Sequence, residues 1–103
     1  MELVYLEPAK RDLERIRSFF LAQKVGEETA STIIASIVAD ANCLKDHPKL
    51  GFAIGEKYGY KSAYRGLLVC KERYLIAYEI TETAIEVRRI YSTRESYIKD
   101  LTP

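Results

Sequence analysis

A chain of 103 residues, 48% hydrophobic and 30% charged, has room for one core and one domain, and is too apolar for intrinsic disorder. Its 16 Lys and Arg against 15 Asp and Glu leave a net charge of +1, which excludes sequence-independent nucleic-acid binding by the whole surface but not a local basic site. The start "MELVYLEPAK" lacks the basic residues and apolar run of a signal peptide, and no segment approaches the ~20 apolar residues of a membrane span. The expected compartment is therefore the cytoplasm, with no membrane partner. Cys43 and Cys70 have no CxxC spacing and are expected as reduced thiols. With a single histidine they do not make a zinc site, so no metal or organic cofactor is expected.

In chain order, Leu3 to Leu6 alternate as a short strand. Pro8 then suits the first turn of a helix, where a missing N–H costs nothing. Ala9, Leu13, Ile16 and Phe20 fall on one helical face, and Lys10, Arg11, Asp12, Glu14, Arg15 and Arg17 surround the rest. The basic side made by Lys10, Arg11 and Arg15 is interrupted by acids and reads as a solvated face. Gly26 closes this helix near Lys24. A second helix starts near Glu27, with two acids against the positive end of its dipole and a stripe of Ala30, Ile33, Ile34, Ile37, Ala41 and Leu44. The short "KVG" link makes the two helices an antiparallel hairpin. "DHP" stops the second, because Pro48 disfavours helix at His47, which reads as a turn residue.

Residues 49–61 show little periodicity and read as a loop, with a brief extended piece at Phe52–Ile54 as an option. From Ser62 the period changes to two. "SAYRGLLVC" and "RYLIAYEI" are strands joined at Lys71–Glu72, and "AIEVRRIY" is the last strand. Ile90 falls out of phase with Ile85 and Val87, and a bulge near Arg88–Arg89 would restore it. The order βααβββ predicts an α+β fold, with a two-helix hairpin on one face of a four-stranded, mainly antiparallel sheet that the first strand must join.

Taken together, "VYLEPAKRDLERIRSFF", "LKDHPKLG", "YRGLLV", "YLIAYEI" and "IEVRRIYSTRESY" resemble, in order and spacing, the RelE/ParE superfamily of bacterial type II toxins over nearly the whole chain. The resemblance implies a toxin held inactive by a cognate antitoxin, which alone connects it to promoter DNA. ParE-like members poison DNA gyrase and need no nuclease site. RelE-like members cut mRNA on the ribosome, which requires a base, cations for the phosphorane and an acid. The positions matching that second set are Lys57 or Lys61 in the loop, Arg65 on the following strand, and Arg94 and Tyr97 near the C-terminus. The last two are spaced more closely than in the RelE pattern. Arg65, Arg94 and Tyr97 are also the candidates for contact with a target. Near-neutral charge suits the ParE-like reading, with the ribosome and mRNA as the alternative target. A member that binds antitoxin without toxicity is a further alternative.

Each candidate also has a plainer reading. Arg65 can be a solvent-facing strand residue whose stem packs on its neighbours. Lys57 and Lys61 can be ordinary loop lysines, and Arg94 and Tyr97 tail residues. Tyr58, Tyr60 and Tyr64 cluster near the loop, where they could stack on bases or pack beneath an antitoxin helix.

Overall fold

The structure, a computed structural model, describes residues 1–24, 26–59 and 61–94. Strand β1 (Glu2–Tyr5) runs straight into helix α1 (Glu7–Ala22). Leu6 makes the join. It keeps an extended backbone, its N–H donates to Val87 O, and its carbonyl accepts the first helical bond from Lys10 N. Pro8 sits in the first turn, where its missing donor would have had no helical partner. Ala9, Asp12 and Ile16 are buried, and Leu13 and Phe20 pack beside them.

Lys24 and Gly26 both take positive φ and reverse the chain. Helix α2 (Glu27–Asn42) then returns antiparallel to α1, and an Arg17–Glu27 ion pair ties the two together. Its buried face is Ala30, Ile37 and Ala41. A 3-10 turn, Cys43–Lys45, continues it and buries Leu44 before Pro48 ends the helical run.

Five strands form one sheet: β1, β2 (Phe52–Ala53), β3 (Arg65–Val69), β4 (Tyr74–Ile80) and β5 (Ala84–Ser92), in the spatial order β1-β5-β4-β3-β2. β1 lies parallel to β5, and the other pairings are antiparallel. The sequence predicts four strands. The fifth, β2, is two residues long and too short to show an alternation. It forms because Gly51 brings the chain against β3, where a Cβ on Gly51 would lie 2.3 Å from Gly66 O. The brief extended piece expected at Phe52–Ile54 is thus a paired strand at Phe52–Ala53, and Ile54 opens a helix.

That helix, α3 (Ile54–Tyr58), corrects the reading of residues 49–61 as a loop. One turn leaves no periodic trace in the sequence, and Gly59 ends it in the left-handed region. The bulge expected near Arg88–Arg89 is present. Ala77 faces Arg89 while Tyr78 faces Val87, so Arg88 is the extra residue. Ile85, Val87 and Ile90 consequently all reach the helix-side core and are fully buried.

Both sheet faces carry apolar packing. The helical hairpin covers Ile76, Tyr78, Val69 and the β5 residues. On the other face, Ile54, Leu75, Ala77 and Tyr91 form a smaller cluster with Phe52, Tyr58, Tyr64 and Leu68. β4 is the middle strand, and its first five residues are buried without a break.

Candidate functional site

Arg65 lies at the start of β3, directly across from Tyr78 on β4. Both side chains address the backbone of the "HPKLG" turn. The Arg65 Nη2 donates to Lys49 O at 3.3 Å and to Gly51 O at 2.5 Å. The Tyr78 hydroxyl donates to Pro48 O at 2.7 Å and accepts from Gly51 N at 3.1 Å. Leu50 N donates to His47 O, which closes the turn on itself. Two of the segments that carry the family resemblance, "LKDHPKLG" and "YRGLLV", therefore meet in space: the strand arginine holds the turn that ends the helical run. Arg65 is half-buried and its Nε has no partner; no carboxylate pairs with it among the described residues.

The other candidates do not converge on Arg65. Lys57 is on α3, with its ammonium 4.5 Å from the Phe52 ring centre and 5.9 Å from that of Tyr58. That is cation–π geometry, and it directs the charge along the protein surface. Lys61 is exposed in the stretch leading to β3. Arg94 is exposed just past β5, at the end of the sheet where Val69, Tyr74 and Ser92 lie side by side. At strand spacing this end is roughly 13 Å along the strands from the Arg65 end. Tyr97 lies outside the described residues.

Arg94 instead meets Arg73, which the sequence reading takes only as the start of a strand. Thr93 N and its hydroxyl both donate to Arg73 O, at 3.0 and 3.1 Å, and this places the two arginines on one surface. They border a groove between α1 and the ends of β4 and β5, with Phe19, Phe20, Tyr74, Ser92 and Thr93 as its other walls. Phe19 and Phe20 make an edge-to-face pair, with centroids 5.5 Å apart, and Phe19 is 58% exposed. Adjoining surfaces add Arg15 on one side and Cys70 and Lys71 on the other. Among the described residues no carboxylate lines any of these three surfaces. Neither the Arg73 nor the Arg94 guanidinium has a side-chain partner among the described residues.

Groups in and beside the groove hold their protons. Burial pushes the Tyr74 phenol up, helped by the neighbouring Cys70, and Arg73 and Arg94 oppose the shift only in part. Burial, then the charge of Asp40, pushes the Cys70 thiol up. Neither group is set to act as a base or nucleophile near neutral pH.

Arg88 and Arg89, by contrast, are committed to the fold. Arg88 donates to Glu79 at 2.7 Å and Glu86 at 3.0 Å. Arg89 reaches the buried Asp12 through two bonds of 2.7 and 3.1 Å. Among the described residues no cluster of His, Cys, Asp and Glu could hold a metal ion, and no helix is long and apolar enough to cross a membrane.

A family model described as "ParE toxin of type II toxin-antitoxin system, parDE" matches residues 3–97. The chain belongs to the ParE toxin family. No curated protein matches it by sequence. Among solved structures, a chain of the "Chromosomal ParDE TA system from P. aeruginosa" is similar over 89% of this chain and 95% of its own, with 20% identity and a TM-score of 0.76. At that identity the likeness is one of fold. It agrees with a RelE/ParE superfamily toxin built as a helical pair on a mostly antiparallel sheet. Within such a ParE fold, the locked "HPKLG" turn and the arginine groove are the two surface features that the remaining chemistry has to explain.

Proposed function

We propose that this ParE-family chain is a cytoplasmic toxin that inhibits DNA gyrase without chemistry of its own and is neutralised by a cognate antitoxin. The observation that carries the non-enzymatic reading is the dispersal of the cleavage candidates. Arg65 is engaged with backbone carbonyls, Lys57 with aromatic rings, and Arg94 stands at the far end of the sheet. Cutting RNA needs a base, cations and an acid around one phosphate. In this reading Arg65 serves the target surface by shaping it, while Arg94 and Tyr97 serve partner contact.

The antitoxin is assigned to the arginine groove. A segment with an aromatic or aliphatic side chain for Phe19 and Tyr74, flanked by carboxylates for Arg73 and Arg94, complements it in shape and charge. Promoter DNA is reached only through the antitoxin.

A second reading has one observation in its favour. Two arginines beside Tyr74, without side-chain partners among the described residues, could clamp a phosphate, as a ribosome-dependent mRNA nuclease requires. Tyr74 and Cys70, both raised chiefly by burial, are not set to supply the base that such a clamp would need.

Induction in cells separates the readings. Gyrase inhibition gives trapped gyrase–DNA cleavage complexes and a DNA-damage response, with translated mRNA intact. Cuts at the ribosomal A site, mapped by primer extension and lost in Arg73→Ala or Arg94→Ala, would establish the nuclease instead. A chain that binds the product of an adjacent small gene but leaves growth unchanged is a non-toxic member.

A further inference from the structure

A surface at the other end of β4 is left unused by the antitoxin assignment. Leu50 is 54% exposed and Met1 45%, and with Ile80 they form an apolar surface bordered by His47, Pro48 and Lys49. Ile80 and Tyr74 are the two ends of β4, so this surface lies roughly 20 Å from the arginine groove at strand spacing. Among the described residues the two share no lining residue.

The segment that presents Leu50 is not a loose loop. Four hydrogen bonds from the Arg65 and Tyr78 side chains, and one within the turn, hold the carbonyls of Pro48, Lys49 and Gly51 and the N–H groups of Leu50 and Gly51. Gly51 has no room for a side chain, since a Cβ would also lie 2.8 Å from the Tyr78 hydroxyl oxygen. A large apolar side chain standing in water on a backbone this constrained loses little further entropy when a partner covers it.

We propose that the Pro48–Gly51 turn is a preformed contact element that presents Leu50 and Lys49 to the protein target of the toxin, with Arg65 and Tyr78 as positioning residues acting through it. This rests on the toxin reading above and names the surface that reading needs. The occupant is a protein face with an apolar recess for Leu50 and a carboxylate for Lys49. Among the described residues the cations at this surface are Lys49 and the Met1 ammonium, and no carboxylate lines it. Two such cations are too few to follow a phosphate backbone, whereas they suit the polar rim of a protein interface. Because the turn and the arginine groove have different linings, substitutions in the turn are expected to leave antitoxin affinity unchanged.

The test uses the full chain with purified gyrase holoenzyme, reading inhibition of supercoiling, together with antitoxin affinity, melting temperature and sedimentation. Leu50→Glu is expected to raise the concentration for half-inhibition at least about tenfold, as loss of an interface anchor does. Its melting temperature and antitoxin affinity are expected to stay at wild-type values. Lys49→Glu is expected to act in the same direction. Tyr78→Phe removes two of the bonds to the turn and should weaken inhibition in the wild-type background but clearly less in a Leu50→Ala background. A merely structural tyrosine would weaken both equally.

Full potency of Leu50→Glu overturns the proposal. So does an equal loss of antitoxin affinity, or the dissociation by Leu50→Glu of a dimer formed by the wild type, since the occupant would then be the antitoxin or a second copy. If wild-type protein leaves gyrase active but arrests growth, gyrase is the wrong target and growth arrest becomes the readout for the same variants. If it does neither, the toxin reading fails and this proposal fails with it.

Discussion

Asp12 is the buried charged residue among those described, at 4% exposure, and its surroundings explain why it is tolerated. β1 pairs with β5 only as far as Val87, so the N–H of Ile90 faces α1 without a strand partner. Asp12 Oδ2 accepts that N–H at 2.9 Å, and the carboxylate also receives Arg89 and Arg15. One side chain thus substitutes for the missing strand and balances a half-buried arginine. Asp12→Ala should leave the buried Ile90 N–H unpaired and remove an ion-pair partner of Arg89, a loss of about 3 kcal/mol in urea denaturation. Asp12→Asn keeps the shape and one acceptor and should lose less. A wild-type midpoint for Asp12→Ala would show that Asp12 is not the edge cap. A second residue-scale effect comes from the buried acids. Tyr5, Cys70 and Tyr74 all have their pKa raised, chiefly by burial, so folding favours their protonated forms. Their contribution to stability is complete below the ordinary thiol and phenol ranges and is lost as pH climbs through the higher folded values. Denaturation midpoints should fall on the alkaline side, and Cys70→Ala should remove the earliest part of that fall. A midpoint flat into the phenol range would contradict the assignment.

Among the elements, the β5 bulge fixes how the last strand serves both core and cap. Arg88 is the extra residue, and it alone lets Val87 and Ile90 face the helices together. Deleting Arg88 should turn Ile90 away from the core and separate its N–H from Asp12, for a combined loss of more than about 4 kcal/mol. No cooperative thermal transition is the expected result. Arg88→Ala keeps the bulge and loses ion pairs to the partly exposed Glu79 and Glu86 and a distant contact with the Tyr64 ring, so it should cost about 1 kcal/mol. Equal effects of deletion and substitution would mean that the side chain, not the extra residue, matters. This bulge was legible in the sequence because Ile90 breaks the two-residue phase of Ile85 and Val87. The helices were legible because 16 residues hold several turns of the helical period. β2 and α3, at two and five residues, are shorter than the patterns that reveal such elements. The site was only partly legible for a related reason. The position of Arg65 stands out, but its partners are backbone carbonyls 14 and 16 residues away, which no side-chain pattern reports. The meeting of Arg73 with Arg94 depends on the β4–β5 register, which places Tyr74 opposite Ser92.

At the scale of the molecule, a net charge of +1 hides an uneven distribution. Many of the charges cancel locally, as in the Arg88 and Asp12 networks, whereas Arg73 and Arg94 face a groove that, among the described residues, holds no acid and gives them no side-chain partner. Long-range attraction of an acidic partner should therefore come mainly from this end, and only at low ionic strength should it act beyond about 10 Å. The double substitution Arg73→Glu and Arg94→Glu tests this with little risk to folding, because it breaks no side-chain ion pair among the described residues. It should lower antitoxin affinity by roughly a hundredfold at low salt, mostly through slower association, with a smaller loss at high salt. The wild-type complex should weaken as salt rises and the reversed variant should not. Calorimetric titration at two salt concentrations, with stopped-flow association rates, gives both quantities. Unchanged affinity at low salt would remove the antitoxin from this groove and direct the search for its seat to the rest of the helical hairpin. A similar loss at both salts would point to packing against Phe19 and Tyr74, not charge, as the basis of recognition.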